Sequence, residues 1–432
     1  MSRFPADIQS EVDHLFREQY RRMVATLTRV FGASHLDLVE GVVQEALLKA
    51  MQLWPTQGIP ENPVGWLIQV AKNGALDVIR QDQFRARFHS GKREEILDSF
   101  AVLSSESSEI SDGEEAHFSP ILRDDQLRMI FTCCHPAISR EARIALTLKT
   151  LCGFGLNEIA RAFLAKPDTI AQRIIRAKQK IKADGVPYEI PEPSALSVRL
   201  DTVLEVFYLV FNEGYGATEG EQLIRRDLCD LAIRLTSLLT AYQPTSLPRV
   251  HALLALMFFQ SSRFDARIDP GGNLLLISEQ DRLRWDRRKI QLGFQHLHLS
   301  AGGDELSDYH LQASIAACHA AAPTYEATNW EQILSDYDEL MHRHHTPVIA
   351  LNRAVAVGMA RGPEAAIREL EQLQGLPPLK AYYLLPATLA EFHLRLGRRT
   401  EAARYYREAL GLVGTEPERR FLLKKYGECS GP

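Results

Sequence analysis

The residues of this 432-residue chain that could do chemistry form stripes of hydrogen-bond donors, and no nucleophile stands with a base. From Lys166 to Lys182 there are six Lys or Arg against the single Asp168, a local charge of +5. At about 100° per residue, Ile170, Ile174, Ala177 and Ile181 gather on one face of a helix, and Thr169, Gln172, Arg173, Arg176 and Lys180 on another. Upstream, Leu156, Ile159, Ala160 and Phe163 make a short amphipathic helix. Ala165-Lys166-Pro167 is a tight connection whose proline suits the start of the next helix. This is the grammar of a helix-turn-helix that reads duplex DNA: cations neutralise phosphates while Gln172 and Arg173 reach base edges. Asp168 suits a donor such as a cytosine amino group.

A second stripe lies in NPVGWLIQVAKNGALDVIRQDQFRAR, residues 62 to 87, where Asn62-Pro63 marks the helix start. Leu67, Ala71 and Val78 define a buried face, and Trp66, Asn73, Asp77 and Arg80 project within about 60° of one another beside it. An aromatic ring, an amide and a guanidinium in one line can stack on an unpaired base and hydrogen-bond to it. Arg85, Arg87, Lys92 and Arg93 extend the positive character.

Other chemistry is thinner. Cys133-Cys134-His135 lacks the two-residue spacing that lets two thiolates face one ion, and reads as a buried helix end before Pro136. His342, His344 and His345 have no carboxylate at helical ligand spacing, so no metal or other cofactor is expected. There is no P-loop, nucleophile elbow or H-E-x-x-H, hence no enzyme. Asn212-Glu213-Gly214-Tyr215 and Asp281-Arg282-Leu283-Arg284-Trp285-Asp286 mix charge with aromatics and could line a ligand or peptide groove. The favoured reading is that Gly214 ends a helix and Arg284 pairs with Asp286.

The elements that must position these stripes are helices. Apolar residues three and four apart dominate, with few β-branched alternations, so the chain reads as all-α. Its length implies two to four domains. The clearest linker is 94 to 119, with eight acidic residues, seven serines and no Lys or Arg; VPYEIPEPS at 186 to 194 is a shorter, proline-rich break. These set off 1–93, 120–185, a helical stretch 195–345 and a last part, 346–432. In that last part Ala390, Ala402, Tyr406 and Ala409 fall where tetratricopeptide repeats bring two helices close, with Gly397 at the turn. Ala354 and Ala366 repeat the pattern about 36 residues upstream. The net charge of −5 leaves nucleic-acid contact to local patches. No apolar run approaches the ~18 residues of a membrane span, and the N-terminus lacks a signal-peptide core, so a cytoplasmic protein with reduced thiols is expected.

The pair of stripes resembles the two conserved regions of sigma-70-type initiation factors of the extracytoplasmic-function group. EGVVQEALLKAMQLWP, residues 40 to 55, resembles the region 2 helix that grips the polymerase β′ clamp. The 62–87 stripe resembles the helix that melts and reads the −10 element, and GFGLNEIARAFLAKPDTIAQRIIRAKQKIK resembles the region 4 helix-turn-helix for the −35 element. The acidic linker falls where such factors join the two regions, and neither region 1.1 nor region 3 fits. FTCCHPAISREARIALTLKTL with VFYLVFNEGYGATEGE, QDRLRWDRRKI and PVIALNRAVAV is similar to a subgroup carrying a long helical, repeat-containing extension.

The resemblance implies a factor that binds core RNA polymerase at the β′ clamp and β flap, recognises promoter DNA and helps to melt it, with no catalysis of its own. It places Val42, Gln44, Glu45 and Leu48 on polymerase, with Gly41 where the group commonly has an acidic residue. It places Glu61, Asn62, Trp66, Asn73, Asp77 and Arg80 on the −10 strand. Lys166, Asp168, Thr169, Gln172, Arg173, Arg176 and Lys180 fall on the −35 duplex. The extension is expected to regulate, by docking on regions 2 and 4 or by binding a regulatory protein or ligand. A helix-turn-helix repressor or activator that never binds polymerase, and a helical scaffold with an incidental basic helix, are the competing classes.

Overall fold

The computed structural model describes residues 6–58, 60–87, 115–163, 165–216, 224–269, 271, 275–414 and 416–430. Among these there are eighteen α-helices and no β-strand, so the all-α expectation holds. Two compact units, 1–206 and 207–432, divide inside one helix. Residues 88–114, with Lys92, Arg93 and most of the expected acidic linker, lie outside the described residues; the remainder of that linker is helical from Glu115.

In the first unit α1 (Ala6–Phe31), α2 (Leu36–Gln57) and α3 (Pro63–Arg87) form an N-terminal bundle. Met23, Val24 and Leu27 of α1, Val39, Val43, Ala46 and Ala50 of α2, and Leu67, Ala71 and Ala75 of α3 are all buried where the three helices pack together. Four alanines in this set let the helix axes approach closely. Two local signals set the α2–α3 corner. Gly58, at φ +86°, ends α2 in a backbone region that costs other residues more, and Asn62 caps α3, its Oδ1 accepting the Gly65 N–H at 2.8 Å. Pro63 follows at the first helical position, where its missing N–H is no loss.

The same unit continues with α4 (Glu115–Cys133), α5 (Arg140–Thr150), α6 (Leu156–Ala162), α7 (Pro167–Ala183) and the start of α8 (Pro193–Tyr215). Leu127, Met129, Ile130 and Phe131 of α4 are fully buried. Asp125 of α4, also fully buried, accepts from Arg29 of α1 at 3.3 Å and from Arg128 at 2.8 Å. Burial holds its carboxyl above the ordinary value although both arginines pull it down. The Tyr188 hydroxyl lies 2.8 Å from both the Ala25 and the Asp125 carbonyls.

The second unit takes up the rest of α8 and adds α9 (Arg226–Thr240), α10 (Pro248–Ser261), α11 (Arg287–Ser300), α12 (Asp308–Ala321) and α13 (Trp330–Arg343). It ends with α14 (Pro347–Arg361), α15 (Pro363–Leu373), α16 (Leu384–Arg395), α17 (Arg399–Leu412) and α18 (Glu416–Ser430). Helix α10 is buried along nearly its whole length, from Arg249 to Phe259, and is the axis of the first half. In the second half Ala354, Ala366, Ala390, Ala402 and Ala409 are fully buried with Tyr406, and Gly397 turns between α16 and α17 at φ +72°.

Candidate nucleic-acid interface

Helix α7 is aimed by its sequence. Lys166 is its N-cap, Pro167 its first residue, and the turn from α6 is closed by Phe163 N–H to the Ile159 carbonyl at 3.1 Å and Ala165 N–H to the Ala160 carbonyl at 3.0 Å. Glu158 starts α6 by accepting the Gly155 N–H at 2.6 Å. Ile170, Ile174, Ala177 and Ile181 are buried. Lys166, Asp168, Thr169, Gln172, Arg176 and Lys180 are exposed and Arg173 is half-buried at the margin of that face. Asp168 sits in the first turn, where the helix dipole favours an anion. Lys180 is tied to Asp184 at 3.0 Å.

One cation counted toward the +5 does not face outward. The Lys178 ammonium lies 2.8 Å from Glu40 and 2.7 Å from Asp37, both on α2, and Glu40 also accepts the Thr150 hydroxyl at 2.8 Å. Glu40 is 5 % exposed. Burial works against the charged ammonium, but Glu40 and Asp37 outweigh it and hold the Lys178 pKa above its ordinary value. The sequence offered no sign of this knot, because its members are 110 and 138 residues apart.

On α2 the expected polymerase residues separate. Gln44, Glu45 and Leu48 are exposed, Leu48 by 58 %, and Met51, which sequence reasoning missed, continues the apolar edge at 61 %. Glu45 pairs with Lys49 at 3.2 Å. Val42 is corrected: it is buried against α3, where its side chain lies 3.5 Å from the place a Gly74 Cβ would take, and it cannot reach a partner. Exposed large apolar groups on a helix face are the informative exception to burial.

On α3, Asn73, Asp77 and Arg80 are exposed, with Asp77 and Arg80 paired at 3.5 Å and Asn73 accepting from Gln69 at 3.0 Å. Trp66 is half-buried with its ring 5.7 Å from that of Trp54, so only part of it faces outward. Glu61 and Asn62 lie exposed at the α2–α3 corner, and the Asn62 amide is occupied as the cap of α3. Val78 does not join the buried face; it is 39 % exposed and Ala75 takes its place. The side chains of Arg85 and Arg87 lie outside the described residues.

The cysteine pair of the discounted motifs resolves as packing. Cys133 and Cys134 are fully buried at the end of α4; burial pushes the Cys134 thiol up to about 11. Among the described residues no three His, Cys, Asp or Glu side chains are grouped to hold a metal. His344 meets Asp308 at 2.8 Å. Gly214 lies within α8 and does not end it; a Cβ there would come within 2.7 Å of Cys229 and 2.8 Å of the Arg225 carbonyl.

Next to it, burial lifts Glu213 to about 7 while Arg225 pulls the other way. The folded carboxyl therefore keeps its proton to higher pH than the unfolded one, and stability falls as pH rises from the ordinary carboxylate value through about 7. Glu213→Gln is expected to stabilise the fold at pH 8 by about 1 kcal/mol, after allowance for its half-exposed position, and so to raise the melting temperature there, and to change little at pH 5. Calorimetric scans at the two pH values check this.

Comparison with known proteins agrees with the geometry. Residues 15–85, which contain α2 and α3 up to Arg85, match sigma-70 region 2, and residues 199–301 match a family of unknown function, DUF6596. An uncharacterized protein of Rhizobium meliloti (strain 1021) is 37% identical over 388 residues, covering 90% of this chain and 89% of its own. No described helix is long and apolar enough to cross a membrane. The chain belongs to one family with that Rhizobium protein, and near its N-terminus it carries the region 2 of a sigma-70 factor.

Proposed function

We propose that this chain is a transcription initiation factor of the extracytoplasmic-function type, acting in the cytoplasm on core RNA polymerase and promoter DNA. The observation that carries the reading is the joint exposure, on the two helices inside the region 2 match, of an apolar edge (Leu48, Met51) and a polar stripe (Asn73, Asp77, Arg80). Gln44, Glu45, Leu48 and Met51 of α2 dock on the β′ clamp, where the two apolar side chains leave water. Asn73, Asp77 and Arg80 of α3, with the outward part of Trp66 and with Glu61 and Asn62 at the corner, receive the −10 strand. An extruded base gains ~1 to 3 kcal/mol by stacking, which offsets part of the cost of opening the duplex.

Helices α6 and α7 act as the region 4 helix-turn-helix, with Thr169, Gln172, Arg173 and Arg176 entering the major groove of the −35 element. Lys166 and Lys180 meet phosphates, and Asp168 selects a donor base. Residues 195–432 regulate this activity, the last helices serving as a tetratricopeptide-like docking module. The polymerase supplies the bond-making chemistry.

The test is transcription by purified core polymerase and this protein from random promoter libraries. Discrete start sites sharing upstream elements are the expected result; absence of specific initiation overturns the proposal. Within it, Arg176→Ala is expected to weaken −35 duplex binding roughly tenfold and to lower the salt slope by about one unit, read by fluorescence anisotropy at several salt concentrations.

A further inference from the structure

Three arginines of the second unit gather with no carboxylate at ion-pair distance among the described residues. The guanidinium carbons of Arg282 and Arg263 lie 4.6 and 5.8 Å from the ring centre of Trp285, and that of Arg267 lies 3.9 Å from the ring centre of Tyr215. Arg263 donates to the Tyr215 hydroxyl at 2.6 Å, and Arg267 donates to the Tyr215 carbonyl. Arg282 uses one nitrogen to close the end of α12, donating to the His319 and Ala322 carbonyls. Every acceptor they use among the described residues is neutral.

The acids in the neighbouring motif are engaged elsewhere. Asp281 accepts the Leu283 N–H at 2.9 Å and Asp286 accepts the Lys289 N–H at 3.0 Å, so the expected Arg284–Asp286 pair does not form. Glu326 is exposed and influences Arg282 from beyond ion-pair distance. None of Arg263, Arg267 and Arg282 has an ion pair among the described residues.

The cluster also holds N–H groups with no acceptor. Arg263 Nε, Arg282 Nη2 and the indole Nε1 atoms of Trp285 and Trp330 are buried and unbonded, as is Nδ1 of His319, whose ring packs edge-on against Trp330 at 5.2 Å. The Trp285 side chain is itself only 3 % exposed. Burial, then Arg263 and Arg282, hold His319 down at about 3, so its ring is neutral at physiological pH. Like charges and orphaned donors of this kind are costly to assemble, since each buried unsatisfied donor loses its hydration. The three arginines are half-buried, so part of each side chain stays at the surface above these buried donors.

We infer that Arg263, Arg282 and Trp285, backed by Arg267 and His319, form a binding site for a small organic oxyanion, a phosphate or carboxylate held by guanidinium and indole N–H groups. Guanidinium forks match such oxyanions in charge and in geometry. Four of the five residues lie in the stretch matching the family of unknown function, and the inference does not depend on the transcriptional reading.

Two of the four tryptophans of the chain belong to the cluster, so binding has an optical signal. The full-length protein would be titrated with inorganic phosphate and with succinate, each against chloride at matched ionic strength, following tryptophan emission and melting temperature. The expected result is a saturable emission change and a rise of several degrees with at least one of the two, the responding anion identifying the phosphate or the carboxylate class. Arg263→Gln and Arg282→Gln should weaken that response at least tenfold, whereas Arg284→Gln on the neighbouring exposed turn should keep it. Because Arg282 also closes α12, Arg263→Gln decides the matter if Arg282→Gln does not fold. Neither anion exceeding chloride, or an undiminished response in Arg263→Gln, overturns the inference.

Discussion

Lys178→Met is expected to destabilise the first unit by about 3–5 kcal/mol. The reason lies in what remains behind. Glu40 is 5 % exposed and its carboxylate has two close partners, the Lys178 ammonium at 2.8 Å and the Thr150 hydroxyl at 2.8 Å. With the ammonium removed, a buried anion keeps one neutral donor. Asp37, exposed, loses its partner at little cost. The double variant Glu40→Gln with Lys178→Met should recover most of the loss, because it removes the charge as well as its partner.

The pH dependence of the knot has a definite sign. A lysine whose folded pKa is raised contributes its stability below the unfolded value and loses it as pH rises through the folded one, so the contribution is complete at neutral pH and declines only in alkali. Urea unfolding followed through Trp54 and Trp66, in a background with Trp285 and Trp330 changed to Phe, reports on this unit alone. A loss below about 1 kcal/mol would show that Glu40 is solvated in solution.

That knot also marks where local sequence ceases to inform. The faces of α7 were legible because burial along a helix repeats every 3.6 residues, and Ile170, Ile174, Ala177 and Ile181 carry no polar atom to contradict it. The start of α3 was legible because Asn62-Pro63 is a cap followed by a residue without an N–H. Periodicity gives a face its polarity but not its neighbour. Val42, one residue before the buried Val43, reads as part of an outward patch on α2 until α3 is laid over it, and Val78 reads as core although no helix covers it. Lys178 has the same side chain as the exposed Lys180, yet its role is fixed by a glutamate on another helix. The arginine cluster was half-legible. Asp281 to Asp286 stood out by composition, but which acids face backbone N–H groups and which face arginines depends on turns that charge patterning does not encode.

In the last five helices the decisive position is a glycine that the repeat pattern left unremarked. Gly358 of α14 faces α15 and α16 so closely that a Cβ would stand 2.5 Å from the Phe392 ring and 2.6 Å from the Ala366 Cβ. Neither neighbour can yield: Ala366 is fully buried and Phe392 is 2 % exposed, inside a core that includes Leu351, Ala354 and Leu389. Gly358→Leu is expected to cost about 3 kcal/mol or more, since overpacking alone costs ~1 to 3 kcal/mol and the backbones must also separate. Gly358→Ala should cost less, because the helix propensity gained, about 1 kcal/mol, offsets part of the clash. Gly411 of α17 supplies the opposite sign: a Cβ there meets nothing within 4 Å, so Gly411→Ala should stabilise by about 0.5 kcal/mol or more. Melting curves of the three variants therefore separate propensity from packing. If Gly358→Leu melted with the wild type, the close approach of α14 to α15 and α16 would be wrong, and with it the small-residue logic that relates Ala354 and Ala366 to Ala390 and Ala402.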